Sequence, residues 1–180
     1  MRFICVPILF LCLAGFSEGF AQPIATDLFK DDSLQRIDMA ARSRQKKELL
    51  IKSATGVYAS DYKKIYEEQF AEIDKLWSGT RAITAPEVQG YLQQLINSIT
   101  GANSDLGDLD ARIVFTRDWW PNAYSMGDGS IAVNAGLLIH LNNEAELIFI
   151  LCHELAHYKL DHTGKSIRKY VETINSDTYQ

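Results

Sequence analysis

Asn143-Glu144-Ala145-Glu146-Leu147 leads through six apolar residues, Leu147 to Cys152, directly into His153-Glu154-Leu155-Ala156-His157. Asn143 is placed to cap a helix, with Glu146 three residues on as its capping-box partner. The apolar run predicts a helix that is apolar all round and buried on most sides. His153 and His157 are four residues apart, so a helix sets them one turn along and about 40 degrees apart around the axis. Two imidazoles so placed can reach one metal ion at Zn–N distances of about 2.0–2.1 Å. Glu154 lies beside that face, where it can hold the metal-bound water, take its proton and pass it to a leaving amine. The pattern predicts one zinc ion per chain, with His153 and His157 as metal ligands and Glu154 as the catalytic base.

The plainer alternative is a helix with two satisfied histidines and a surface glutamate. Three polar side chains in so apolar a helix need a reason, which weighs against it. All four histidines of the chain also lie between positions 140 and 162. The extended metzincin pattern is excluded, because Leu160 and Thr163 stand where it needs Gly and His. His162 is nine residues from His153 and would face the opposite side of a continuous helix, so it reads as a supporting or structural residue, not a ligand. His140 reads as a packing residue, and Cys152 as a buried, inert one.

Upstream of the motif the period changes to two. Residues 111–116, 122–126 and 130–133 predict three short strands, and Gly127-Asp128-Gly129 is a hairpin signal. Further back, Tyr58, Tyr62, Ile65, Tyr66, Phe70, Ile73 and Trp77 make one apolar stripe on a helix ended by Gly79. A second helix follows, with Thr84 as N-cap, Pro86 in its first turn and Glu87 at its third position. Its buried face is Val88, Tyr91, Leu92, Leu95 and Ile99, and Gly101 ends it. Before all of these, Leu34, Ile37 and Ala41 suggest a helix in a charged segment, residues 22 to about 55. The fold class expected is α+β: mainly helical, with a small antiparallel sheet beside the histidine helix.

The chain has 180 residues, 47% of them hydrophobic and 23% charged, enough for one ordinary core. Its formal net charge of -5 gives no sign of a nucleic-acid footprint, and Arg42, Arg44, Lys46 and Lys47 read as a solvated helix face or a mobile lead-in, so no nucleic-acid partner is expected. Arg2, the apolar stretch Phe3 to Phe16 and Gly19-Phe20-Ala21 form the three parts of a secretory signal peptide. The apolar run is too short for a spanning helix, and Cys12 sits in a poor context for lipid attachment. The organisation expected is a signal peptide at 1–21, an N-terminal helical segment at 22–80 and a metallopeptidase domain at 81–180. Cleavage after Ala21 would remove Cys5 and Cys12 and leave only Cys152, so no internal disulfide could form. The protein is expected to be periplasmic or secreted, with room for peripheral association with a membrane; its oligomeric state is not legible.

Pro121 to Met126, Ser130 to Asn134, Gly136-Leu137-Leu138, Asn143 to Leu147 and the histidine motif together resemble one family. It is the HtpX-like and type-I CAAX prenyl endopeptidase family of zinc metallopeptidases, in particular its soluble exported members. The similarity covers roughly residues 83–163. It implies a zincin-type α+β metallopeptidase domain in which Asn122, Ala123, Tyr124 and Ser125 form an edge strand that pairs with an extended peptide substrate. It also implies a third zinc ligand, a glutamate on a later helix. After His162 only 18 residues remain, and their carboxylates, Glu172 and Asp177, do not sit in the family's pattern. The chain is therefore expected to be the N-terminal portion of a longer protein. The function expected is a zinc metalloendopeptidase acting on exported or misfolded proteins. The alternative is a non-catalytic, chaperone-like zinc- or peptide-binding module.

Overall fold

The computed structural model describes residues 31–176. The signal-peptide reading, Cys5, Cys12 and Asp177 lie outside them. Within them the chain is α+β and mainly helical, as the periodicities predict. Six helices, α1 (Ser33–Ser53), α2 (Ala59–Ser78), α3 (Pro86–Ala102), α4 (Ala135–His140), α5 (Glu144–Lys159) and α6 (His162–Ile174), surround a four-stranded sheet. The strands are β1 (Ala82–Ile83), β2 (Arg112–Thr116), β3 (Ala123–Ser125) and β4 (Ser130–Asn134), in the order β1-β2-β4-β3.

The sheet is mixed, not wholly antiparallel. β3 and β4 form the expected hairpin, but β2 pairs with β4 in parallel. The reason is positional: β3 takes the outer edge, so β4 lies between its hairpin partner and β2. Both faces of the sheet are buried, which explains the nearly continuous apolar run of β2. Ile113, Phe115, Ile131 and Val133 face a core shared with Leu92 and Ile96 of α3 and Leu151 and Leu155 of α5. Val114 and Ala132 face the other way, against Met39 of α1 and Phe70, Ile73 and Trp77 of α2.

β1, absent from the sequence reading, covers only two residues of β2. Where it stops, two glutamines of α3 continue the ladder. Gln89 bonds the Ile113 carbonyl and accepts from Phe115 N–H, and Gln93 accepts from Ile113 N–H at 3.0 Å and donates to the Ala111 carbonyl at 3.1 Å. These side chains satisfy backbone groups that a short edge strand would otherwise leave bare.

Several local expectations shift. Ala85, not Thr84, is the N-cap of α3, because the Thr84 hydroxyl donates to the Asp32 carbonyl at 2.9 Å. The buried face of α3 is Gln89, Leu92, Ile96 and Ile99, while Tyr91 is exposed and hydrogen-bonds Glu144. Helix α1 forms, but it buries Met39, Ala40 and Ser43 and leaves Leu34 and Ile37 exposed. Helix α5 is not buried on most sides: Phe149 is 75% exposed and Cys152 is exposed, while Leu147, Leu151 and Leu155 carry the buried stripe. Its apolar run is amphipathic in position, not in composition. His140, expected to pack, is exposed, with Nδ1 on the Gly136 carbonyl at 2.7 Å.

Gly136, the second residue of α4, lies beneath the backbone of Trp119 and Trp120. A Cβ there would lie far inside contact with the Trp119 carbonyl. Gly136→Ala is expected to cost about 1–3 kcal/mol, the range for overpacking, read as a lower denaturant midpoint at constant slope.

Candidate metal centre and active site

The N-cap of α5 forms as read, with Asn143 Oδ1 accepting from Glu146 N–H at 3.1 Å. Glu146 reaches back to Asn142 N–H at 2.9 Å, one residue before the usual capping-box target. That bond, then those to the Asn142 and Asn143 side chains, holds its carboxyl below the ordinary range. With this start fixed, the helix carries His153, Glu154 and His157 to its C-terminal half, facing β3.

His153 Nε2 and His157 Nε2 stand 3.0 Å apart. Two nitrogens at that spacing can both lie about 2.0–2.1 Å from one ion placed between and in front of them. His153 is exposed and His157 half-buried, so the point between them is open to solvent. The donor set therefore fits two of the ligands of a zinc ion. Among the described residues, no three His, Cys, Asp or Glu side chains are arranged to hold one ion. Glu172 lies on α6, ten residues beyond His162, a rise of about 15 Å.

His162 is placed differently from the expectation. The helix does not continue: Asp161 takes a left-handed conformation at φ 50° and caps α6, accepting from Gly164 N–H. Asp is one of the few residues that adopt this region readily. The break turns His162 back onto the site, with its Nδ1 2.7 Å from His157 Nδ1. It meets the edge of His157 opposite the one that faces His153. The contact lies away from His157 Nε2, so His162 is placed as a hydrogen-bonding partner of His157 on the side away from His153. His162→Ala is expected to weaken zinc binding by about 10- to 100-fold, the usual cost of losing such a partner, with little change in thermal midpoint because the side chain is exposed. Zinc competition titration beside a melting curve checks both.

Glu154 is buried at 9% exposure, and its Oε2 accepts from Ser125 N–H at 3.0 Å. This bond ties the histidine helix to β3, which the strand order puts at the sheet edge. The register explains why Ser125 is available. Asn122 and Met126 bond toward β4, so Ala123 and Ser125 direct their backbone groups away from it. Asn122, Ala123, Tyr124 and Ser125, singled out in the sequence, therefore lie on or beside the free edge next to Glu154. The turn after them is built by Gly127 and Gly129, both at positive φ, with Asp128 accepting from Ser130 N–H. Gln69 of α2 donates to the Met126 carbonyl at 2.9 Å and fixes the turn from the other side.

Two features escaped the sequence. A cavity of about 100 Å³ adjoins His157, lined by Tyr158, Ser125 and Gly127 among others. Burial, then the carboxylates of Asp110, Asp128 and Asp108, push the Tyr158 phenol up, so it stays a neutral hydroxyl near pH 7. The second is the His157–His162 contact, whose only signal is the Asp161 before it.

The profile of peptidase family M48 matches residues 86–176, just over half of the chain and all of the elements that build this site. A Vibrio cholerae protein described as "Putative beta-barrel assembly-enhancing protease" is 25% identical over 109 residues, 61% of this chain. The chain spans about a fifth of that relative's length, 22%. No solved structure matches the chain.

Proposed function

This chain belongs to peptidase family M48, and from that premise we propose that it is a zinc metalloendopeptidase whose site is His153, His157 and Glu154 beside the edge of β3. The observation that carries the proposal is the conjunction of two distances: 3.0 Å between the histidine Nε2 atoms and 3.0 Å from Glu154 to Ser125 N–H. Together they bring two imidazole nitrogens, a carboxylate and the β3 edge into one small region, the arrangement a zinc peptidase needs.

His153 and His157 would hold zinc, which when bound polarises the scissile carbonyl and acidifies water. An extended peptide adds to β3 through the outward backbone groups of Ala123. The Ser125 N–H fixes one carboxylate oxygen of Glu154 and so orients the other. Glu154 takes the proton of the attacking water as its oxygen bonds to the carbonyl carbon, and delivers it to the leaving nitrogen as the C–N bond breaks.

The narrower placement beside the HtpX-like and CAAX prenyl endopeptidases rests on Asn122-Ala123-Tyr124 and Gly136-Leu137-Leu138 upstream of the motif. Exported or misfolded proteins as substrates, and a periplasmic or secreted location, rest on the N-terminal residues read as a signal peptide.

The test is hydrolysis of an unfolded protein such as reduced casein. Cleavage that stops with 1,10-phenanthroline and returns with added zinc supports the proposal. Cleavage indifferent to the chelator contradicts it.

A further inference from the structure

Helix α2 leaves a groove beside β3. Its helical wall is one stripe, Gln69, Glu72, Ile73 and Leu76, and its sheet wall is Tyr124 with Met126 just beyond the strand. It offers about 330 Å³, within the roughly 300–1,000 Å³ of ligand pockets. Ile73, Leu76 and Met126 are buried and give it an apolar floor. The charges at its rim are already matched, Glu72 with Lys75 at 2.6 Å and Arg81 with Asp118. The groove therefore suits an apolar guest and leaves a charged one without a partner.

Its place in the fold is under the free edge. Helix α1 covers the opposite half of the same face of the sheet. Arg36 donates to the Ala82 carbonyl of β1 at 2.7 Å, and Arg42 pairs with Asp110, just before β2, at 3.1 Å. Helix α1 also meets α2 at Asp74, which Arg44 approaches to 3.8 Å. Asp74 is about 200 degrees around the helix from Glu72, so the Glu72 flank turns away from α1 and toward β3. No residue of β2 or β4 lines the groove. Gln69 lines both the groove and the cavity beside His157, so the groove lies next to the histidines.

The ladder decides which substrate residue enters. Asn122 and Met126 bond toward β4, and Tyr124 pairs with Ala132 between them. A peptide added to Ala123 and Ser125 places one residue opposite Tyr124 in a non-hydrogen-bonded pair, where Cα atoms stand about 4.5 Å apart. Residues so opposed share a face of the sheet. Tyr124 packs against the core that holds Phe70 and Ile73 of α2, whereas Ala123 packs on the α5 side. The side chain opposite Tyr124 is thus delivered to the groove. Ser125, whose N–H meets Glu154, is the next residue of β3, so that side chain lies within about two positions of the cut bond.

We propose that the groove between Tyr124, Met126 and the Gln69–Leu76 stripe of α2 is a specificity pocket for a large apolar side chain of the substrate. The pocket rests on the strand-addition reading given above.

The test measures binding by fluorescence anisotropy on the Glu154→Gln protein, which leaves peptides uncut. The probes are fluorescein-labelled nonapeptides of one Thr/Ser sequence with Phe, Ser or Asp at the centre. The Phe peptide is expected to bind about tenfold more tightly than the other two, the effect of one good anchor. Glu72→Trp, at a side chain 70% exposed, fills the mouth of the groove from outside the core. It should erase the preference and leave the Ser peptide's affinity unchanged. A preference that survives Glu72→Trp, or equal binding of all three peptides, overturns the pocket while strand addition stands. Equal weakening of all three peptides by Glu72→Trp also overturns it, because the groove then acts on the edge as a whole. Failure of every peptide to bind the Glu154→Gln protein overturns strand addition and the pocket with it.

Discussion

Glu154→Gln is expected to lower the rate of peptide hydrolysis by about 10²- to 10⁴-fold while zinc binding stays as it was, because the loss is that of a positioned acid–base group. Gln keeps the length of the side chain and an oxygen to accept the Ser125 N–H, so the tie between α5 and β3 survives. It cannot take a proton from water. The signature is a fall in kcat at nearly constant KM, since the residue contributes to the reacting state far more than to peptide binding. Single-turnover cleavage of a quenched fluorescent peptide, measured beside zinc content, separates the effects. Unchanged hydrolysis would remove Glu154 from the chemistry and favour a binding module.

His157→Ala is expected to abolish both metal binding and hydrolysis. Loss of a supporting partner typically costs 10–100-fold in metal affinity, so loss of a ligand should cost more than about 100-fold. His157 is also the central member of the chain of three imidazoles, touching His153 through Nε2 and His162 through Nδ1. Its removal leaves His153 and His162 each without the imidazole it touches. His153→Ala should match it in zinc loss but leave the His157–His162 contact in place. The fold should persist in both, because the apolar residues of α5 that build the core are Leu147, Leu151 and Leu155. Competition titration with a zinc-sensitive dye and far-ultraviolet circular dichroism check the two halves of this expectation.

The sequence was legible where one residue type dictates one local outcome. Asn143 as a cap, the four-residue spacing of His153 and His157, and the Gly127 and Gly129 turn each follow from backbone or side-chain stereochemistry that tertiary structure did not override. The α2 stripe was legible for the same reason, since Tyr66, Phe70, Ile73 and Trp77 recur at helical spacing and are buried. What the sequence hid depends on contacts between distant segments. The parallel pairing of β2 with β4 is a choice of neighbour that period-two patterns do not encode. β1 has two residues, too few for a pattern. The exposed side of α5 bears Phe149 and Cys152, which composition alone assigns to a core. His162 was misplaced because Lys159-Leu160-Asp161 contains no glycine or proline to mark a break, and the left-handed Asp161 supplies one without either.

The central claim is that His153 and His157 hold one zinc ion at the edge of β3, and the most direct measurement is zinc K-edge X-ray absorption on the zinc-loaded protein. The account predicts one zinc per chain, nitrogen scatterers at about 2.0–2.1 Å, and the outer-shell scattering of two imidazoles, reduced to one in His153→Ala. A spectrum without imidazole scattering, or one that is the same in the wild type and in His153→Ala, would contradict it.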